Sequence, residues 1–206
     1  MDKKLLIFDF DGTIVDSKKV YYHAIESYLA ELGLSKKESD EAIDVGLSIN
    51  ATLAKLGFGF VTRFFTKRKI MKKVLSHVNE IKKVKDAEHI KRLKAKKILV
   101  SNSLKEFILP VLKHLRIKDE FQEIYGADDF PDKADFIKDY IKKRGFSKEE
   151  IYYIGDRVAD VKLARKIGIK SVIISTKASW NSRREVLKEK PDFLIFDLDN
   201  LKEVIS

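Results

Sequence analysis

Residues 5–13 read Leu5-Leu6-Ile7-Phe8-Asp9-Phe10-Asp11-Gly12-Thr13. Four consecutive apolar residues form the pattern of a strand covered on both faces, the usual condition of strands in parallel sheets. The run stops on two aspartates that alternate across Phe10, followed by a glycine. Carboxylates at the end of a buried strand are costly to desolvate unless a cation compensates them.

Working outward, comparable runs recur at Lys97-Ile98-Leu99-Val100, Ile151-Tyr152-Tyr153-Ile154, Ser171-Val172-Ile173-Ile174 and Phe193-Leu194-Ile195-Phe196. Amphipathic periodicity predicts helices over residues 104–115, 135–144 and 160–167, with Gly145 and Gly168 as stop signals after the last two. Strand and helix patterns in alternation imply an α/β fold, a Rossmann-like parallel sheet flanked by helices. Residues 17–83 break the rhythm. No convincing strand occurs there, only helical patterns over 20–32, 36–45, 49–56 and 62–78, separated by Gly33, Gly46 and Gly57-Phe58-Gly59. The expected organisation is a core formed by residues 1–16 and 84–206, with a small α-helical domain, residues 17–83, inserted after the first strand.

Composition narrows the chemistry. With 206 residues and 44% hydrophobic content, the chain can bury one substantial core beside a small lobe. The absence of cysteine excludes disulfides and thiolate metal sites, and His23, His77, His89 and His114 show no ligand spacing, so any metal must sit among oxygens. The opening residues lead into an apolar run too short for a signal peptide or membrane span, which implies a cytoplasmic protein with no membrane partner. The net charge of +10 is spread over dispersed lysines with no nucleic-acid-binding motif, so it reads as a solvated surface.

Ligands of parallel α/β sheets collect at the carboxyl ends of the strands. The residues standing there are Asp9-Phe10-Asp11-Gly12-Thr13, Ser101-Asn102, and Gly155-Asp156 with Asp160 one helical turn on. Taken singly, Asp156 and Asp160 read equally well as helix caps, and Ser101 or Ser103 as the cap of the helix that follows them. Asp9, Asp11, Asp156 and Asp160 together make an all-oxygen site suited to Mg²⁺. Lys133, in the first turn after Pro131-Asp132, opposes the helix dipole and so calls for an anion, with Lys138 as the neighbouring alternative.

These motifs, in order, resemble the haloacid dehalogenase superfamily in its phosphatase branch. The resemblance rests on Leu6 to Thr13, Val100-Ser101-Asn102, Lys133 and Ile154-Gly155-Asp156-Arg157-Val158-Ala159-Asp160, and it covers the whole chain. Ala134 departs from the pattern, since a proline often follows the family lysine. The resemblance implies that Asp9 is a covalent nucleophile and Asp11 the general acid and base. It implies that Asp9, Asp156 and the backbone carbonyl of Asp11 hold Mg²⁺, with Asp160 behind them. Ser101, the Asn102 N–H and Lys133 would contact the phosphoryl group, in a loop shaped by Gly12 and steadied by Thr13. The helical insertion corresponds to the family's C1 cap, which closes over the active site and contacts the leaving group. Lys55, Arg63, Lys67 and Arg68 are the cap cations suited to that contact.

The activity so implied is hydrolysis of a small phosphorylated metabolite, phosphoglycolate-like or a sugar phosphate, through an aspartyl-phosphate. Asp11 argues against a dehalogenase. A sugar phosphomutase uses the same residues, and a non-catalytic nucleic-acid-binding protein could borrow the fold. A second strand-then-Asp-x-Asp stretch, Leu194 to Asp199, has Asn200-Leu201 in place of Gly-Thr and reads as the last strand followed by a helix cap.

Overall fold

The structure is a computed structural model and describes residues 4–43 and 49–206. In chain order it runs β1 (Leu5–Phe8), β2 (Val15–Asp16), α1 (Lys18–Glu31), α2 (Lys36–Ala42), α3 (Ile49–Lys55) and α4 (Phe60–Ser76). There follow β3 (Lys82–Lys83), β4 (Lys96–Val100), α5 (Lys105–His114), β5 (Glu123–Tyr125), α6 (Lys133–Arg144) and β6 (Ile151–Gly155). The chain finishes with α7 (Val158–Ile167), β7 (Lys170–Ile174), α8 (Arg183–Lys188), β8 (Phe193–Ile195) and α9 (Leu201–Val204).

The chain divides into two compact units, Met1–Asp16 with Lys82–Ser206, and Ser17–Ile81. The first is built on a six-stranded sheet in the order β5-β4-β1-β6-β7-β8, parallel throughout. Alternate residues of a strand face opposite sides, so Leu5 and Ile7 of β1, Ile98 and Val100 of β4, and Ile151 and Tyr153 of β6 share one face. That face is covered by Ala134, Ile137 and Ile141 of α6 and by Ala164 and Ile167 of α7. Fully burying aliphatic side chains of this size contributes about 1.5–3 kcal/mol each. Asp132 starts α6 by accepting from the Asp135 N–H at 2.9 Å, and Gly145 and Gly168 close α6 and α7 with φ of +70° and +81°. From β1 the chain steps outward through β4 and β5, then returns to the other flank of β1 and steps through β6, β7 and β8. The direction reverses between β1 and β6, and the crevice at the carboxyl ends of those two strands is where this architecture offers a ligand site.

The expected fold class is what the structure shows, with three differences in detail. Glu123–Tyr125 forms an additional edge strand, and no periodic signal marks it because all three residues are half-buried. Lys82–Lys83, expected to lie in a stretch without strands, pairs antiparallel with Val15–Asp16 as Val15↔Lys83 and Asp16↔Lys82. Both lysines are exposed, so only backbone pairing defines the strand. The cap of α5 is Leu104, with no side-chain bond, and not Ser101 or Ser103.

The second unit is helical. Val20, Tyr21, Ala24, Ile25, Tyr28 and Leu29 make the buried stripe of α1, which packs on α4 and α2. Thr66, Ile70, Met71 and Val74 are the buried positions of α4, and Tyr28 Oη lies 3.1 Å from Thr66 Oγ1. A capping box opens α2, with the Glu38 N–H donating to Ser35 Oγ and the Ser35 N–H donating to Glu38 Oε2. The expected end of that helix at residues 44 and 45, and the separator Gly46, lie outside the described residues. Among the described residues no helix is long and apolar enough to cross a membrane.

Candidate active site

The loop that follows β1 is wound around one carbonyl. The oxygen of Phe10 accepts from the N–H groups of Thr13, Ile14 and Val15, while the Phe10 ring is buried edge-on against Phe107 of α5. Asp9 N–H donates to Ile154 O at 2.8 Å and prolongs the β1–β6 pairing by one residue. Its carboxylate therefore projects at the reversal point of the sheet. Gly12 takes φ +80°, and a Cβ there would lie 2.7 Å from Asp156 Cγ and nearer still to Asp156 Oδ2 and Trp180 Cδ1. Glycine is thus required twice over, by backbone conformation and by space.

Asp156 and Asp160 arrive from β6 and the first turn of α7. One carboxylate oxygen from each of Asp9, Asp156 and Asp160 lies within 4.8 Å of the others. Gly155 makes the approach possible, since a Cβ on it would stand 2.6 Å from Asp160 Cβ and closer to the carboxyl. Asp160 Oδ2 accepts from the N–H groups of Asp156 and Arg157 at 3.0 and 2.8 Å, so it does cap the helix and still belongs to the acid cluster. Asp156, with no exposed surface, accepts from Thr13 Oγ1 at 3.2 Å and from the Trp180 backbone N–H at 2.6 Å.

Burial first, and then the neighbouring acid Asp160, raises the Asp156 carboxyl well above its ordinary range. Burial and Asp9 push Asp160 up to about 6. Buried carboxyls held this close resist ionisation together, and a divalent cation bound among their oxygens would relieve both burdens. The donor set, oxygen only and geometrically convergent, fits a hard divalent metal.

Lys133 opens α6 with its side chain only 8% exposed, and its Nζ donates to Asp9 Oδ1 at 2.9 Å. Beneath it, 5.2 Å from the ammonium, lies the ring of fully buried Tyr153, near enough for a cation–π contact. Burial and the charge of Asp9 raise the Tyr153 hydroxyl far above its ordinary range, which keeps it a neutral phenol. Lys138 is turned away, 3.7 Å from Asp135 on the helix surface. Asp11 stands apart from the three-carboxylate cluster. Its Oδ2 accepts from Ser103 Oγ at 2.6 Å, and the Ser103 N–H donates to the buried Ser101 Oγ at 3.0 Å. Asn102, between them, is exposed.

Three participants escape a reading of the sequence. Ser103 holds Asp11, Tyr153 lies under Lys133, and Trp180 donates to Asp156 from a loop outside every expected motif. The only signal for Trp180 is its position just after a strand, residues 175–182 following β7. The Asp197–Asp199 stretch is structural, with Asp197 Oδ1 accepting from the Asn200 N–H at 3.1 Å to cap a one-turn 3₁₀ helix.

A sequence model of haloacid dehalogenase-like hydrolases matches residues 6–174. A phosphoglycolate phosphatase of Aquifex aeolicus is 28% identical over 200 aligned positions that cover 93% of this chain and 92% of that protein. Another, from Pseudomonas syringae pv. tomato, is 25% identical over 223 positions covering 96% and 78%. A haloacid dehalogenase-like hydrolase from Streptococcus pneumoniae shares the fold with a TM-score of 0.82 over 98% of both chains at 19% identity. A structure described as a predicted phosphoglycolate phosphatase from Haemophilus somnus reaches 0.83 over the whole of both chains at 18% identity. The family match spans both edges of the acid cluster, from the strand that carries Asp9 to the one beyond Asp160, and the chain belongs to the haloacid dehalogenase-like hydrolases.

Proposed function

We propose that this enzyme is a Mg²⁺-dependent phosphatase that hydrolyses a small phosphorylated metabolite, of the phosphoglycolate or sugar phosphate kind, through an aspartyl-phosphate on Asp9. The observation that carries the reading is the junction at Asp9: one carboxylate, 2.9 Å from a buried lysine and within 4.8 Å of two further buried acids. Stability alone explains three convergent acids and one ammonium poorly, because replacing a whole buried ion pair by well-packed apolar residues is often neutral or favourable.

Mg²⁺ would be held by Asp9, Asp156 and the carbonyl of Asp11, with Asp160 behind them, and would offset the repulsion between an anionic nucleophile and an anionic phosphoryl group. The Asp9 carboxylate oxygen attacks phosphorus, the bond from phosphorus to the leaving oxygen breaks, and Asp11 gives its proton to that oxygen. In the second half Asp11 removes a proton from water, whose oxygen attacks the phosphorus and returns Asp9 as a carboxylate. Ser103 keeps Asp11 in place for both transfers. Lys133, the Ser101 hydroxyl and the Asn102 N–H stabilise charge on the transferring oxygens. Ser101 accepts from the Ser103 N–H, which leaves its own proton to donate. The helical unit, with Lys55, Arg63, Lys67 and Arg68, is assigned the choice of leaving group.

The test is turnover by the purified chain with Mg²⁺ on p-nitrophenyl phosphate and on a panel that includes phosphoglycolate and sugar phosphates. The expected result is hydrolysis by the native chain and loss of about 10⁴-fold or more in Asp9→Asn, the scale on which removal of a covalent nucleophile acts. Equal rates for the two proteins would overturn the scheme, and a requirement for a sugar bisphosphate would convert the enzyme to a phosphomutase.

A further inference from the structure

We infer that Trp180, clamped by Arg157 and Asn181, is a positioning residue that sets Asp156 in the orientation in which it ligates a divalent cation. The inference rests on the reading of the acid cluster as a Mg²⁺ site.

Asp156 is wholly buried, and both of its oxygens already accept hydrogen bonds, Oδ1 from Thr13 and Oδ2 from the Trp180 backbone N–H. Those two donors fix the plane of the carboxylate and so decide which lone pairs face Asp9 and Asp160. The Thr13 donor comes from the tight nucleophile loop. The Trp180 donor comes from residues 175–182, a segment of turns and bends, and an N–H on such a segment is only as well placed as the segment itself.

Several contacts place it, and most return to the acid cluster. The Arg157 guanidinium carbon lies 4.4 Å from the centre of the Trp180 ring. Asn181 Oδ1 accepts from the Val158 N–H at 3.1 Å. The segment is thereby tied to the two residues that follow Asp156. The indole edge also approaches Gly12 so closely that a Cβ there would collide with Cδ1. At the root of the segment, Ser179 Oγ donates to Ile174 O at 3.0 Å and accepts from the Thr176 N–H at 2.9 Å. The indole thus touches both a cation next to one metal-binding residue and the glycine of the nucleophile loop, while its own amide bonds the Asp156 carboxylate. The stack holds the Arg157 guanidinium over the ring face.

Outer-sphere partners of this kind typically govern metal affinity by about 10–100-fold. Trp180 is the only tryptophan in the chain, which gives a readout independent of catalysis. Mg²⁺ titration of the full chain should change Trp180 fluorescence saturably, with the same midpoint as the heat of binding measured by calorimetry. By calorimetry, Trp180→Ala should bind Mg²⁺ about 10–100-fold more weakly, and Trp180→Tyr, which keeps a ring beneath Arg157, should recover most of that loss. Circular dichroism melts verify that each variant folds. If Trp180→Ala failed to fold, the native fluorescence and the tyrosine variant would still decide. Three results overturn the inference: native affinity in Trp180→Ala, an affinity in folded Trp180→Tyr as weak as in the alanine variant, or unchanged Trp180 emission while calorimetry reports binding. No Mg²⁺ binding by the native chain would remove the metal reading itself, and this inference with it.

Discussion

The two units bury different kinds of polar side chain. In the helical unit the buried polar residues are Ser17, Ser39, Thr52 and Thr66, all small hydroxyls, among the described residues. In the sheet unit they include Lys97, Lys133, Asp156 and Asp160. Lys97 is satisfied locally, by the Leu93 carbonyl at 3.1 Å, whereas the other three meet around Asp9. The helical unit shows the reverse excess, with Phe60, Val61, Phe64 and Phe65 exposed along the first turns of α4 and Arg68 and Lys72 continuing the same side. Buried charge is expensive and survives where chemistry needs it, while exposed apolar and cationic surface is the material of recognition. The contrast is the one expected under the proposed function, with bond-breaking in the sheet unit and discrimination between substrates in the helical one.

The largest effect that could break this division is catalytic. Asp11→Asn should lower kcat on p-nitrophenyl phosphate by about 10²–10⁴-fold, the usual weight of a general acid and base. Lys55→Ala should alter the ranking among phosphorylated metabolites and leave that generic substrate nearly untouched. A comparable collapse in both variants would mean that chemistry is shared between the units.

Gly12→Ala comes next. Its Cβ would displace Asp156 and the Trp180 edge, and Mg²⁺ affinity measured by calorimetry should fall by about 10–100-fold. An alanine variant with native affinity would show that the close approach at Gly12 is incidental.

A third effect concerns pH and stability. Asp160 is raised to about 6 and Asp156 is raised as well, above the ordinary carboxylate value near 4. A carboxyl whose folded pKa exceeds its unfolded one favours the fold only while protonated. The metal-free protein should therefore lose stability as pH rises from about 4 through 6 and beyond. Bound metal should reverse this by about 2.7 kcal/mol at a hundredfold excess over Kd. Thermal melts in EDTA and in Mg²⁺ should separate more at pH 8 than at pH 5, and equal separation would detach the acid cluster from metal binding.

The smallest effect belongs to the helical unit alone. Ser35→Ala removes one half of the α2 capping box and should cost about 1 kcal/mol locally, visible as faster amide exchange in α2. Turnover of p-nitrophenyl phosphate should not change.

Much of the sheet unit was legible because its signals are local. An apolar run ending on Asp9, or on Gly155-Asp156, states both a buried strand and the charge at its end within a few residues. The positions of Asp9, Asp156 and Asp160 in one cluster followed from topology, since parallel strands present their ends at one edge. What remained hidden depends on partners distant in sequence. Ser103 reaches Asp11 across 92 positions, and Trp180 reaches Asp156 across 24, with no periodicity or motif to join them. Glu123 was equally silent. Its strand is three residues long, and its carboxylate is defined by what gathers on it. Burial alone would raise that group, but donors from Lys96, Tyr125 and Tyr140 hold it down at about 2. Helices in the second unit were readable from stripes such as Val20 to Leu29, but a stripe reports which side is buried and carries no information about what the opposite side binds.

The pairing of Val15–Asp16 with Lys82–Lys83 has an architectural consequence. The helical unit leaves the sheet unit at Asp16 and rejoins it at Lys82, and these two residues are partners across an antiparallel ladder, which holds their Cα atoms roughly 4.5–5.5 Å apart. Topologically, all of Ser17–Ile81 is therefore the tip of a hairpin whose stem belongs to the sheet unit. The entropy of closing such a tip grows only slowly with its length. Segments of other lengths can be joined to the same stem with little entropic penalty, so under the proposed function selectivity could be replaced like a tool head while the acid cluster stays as it is.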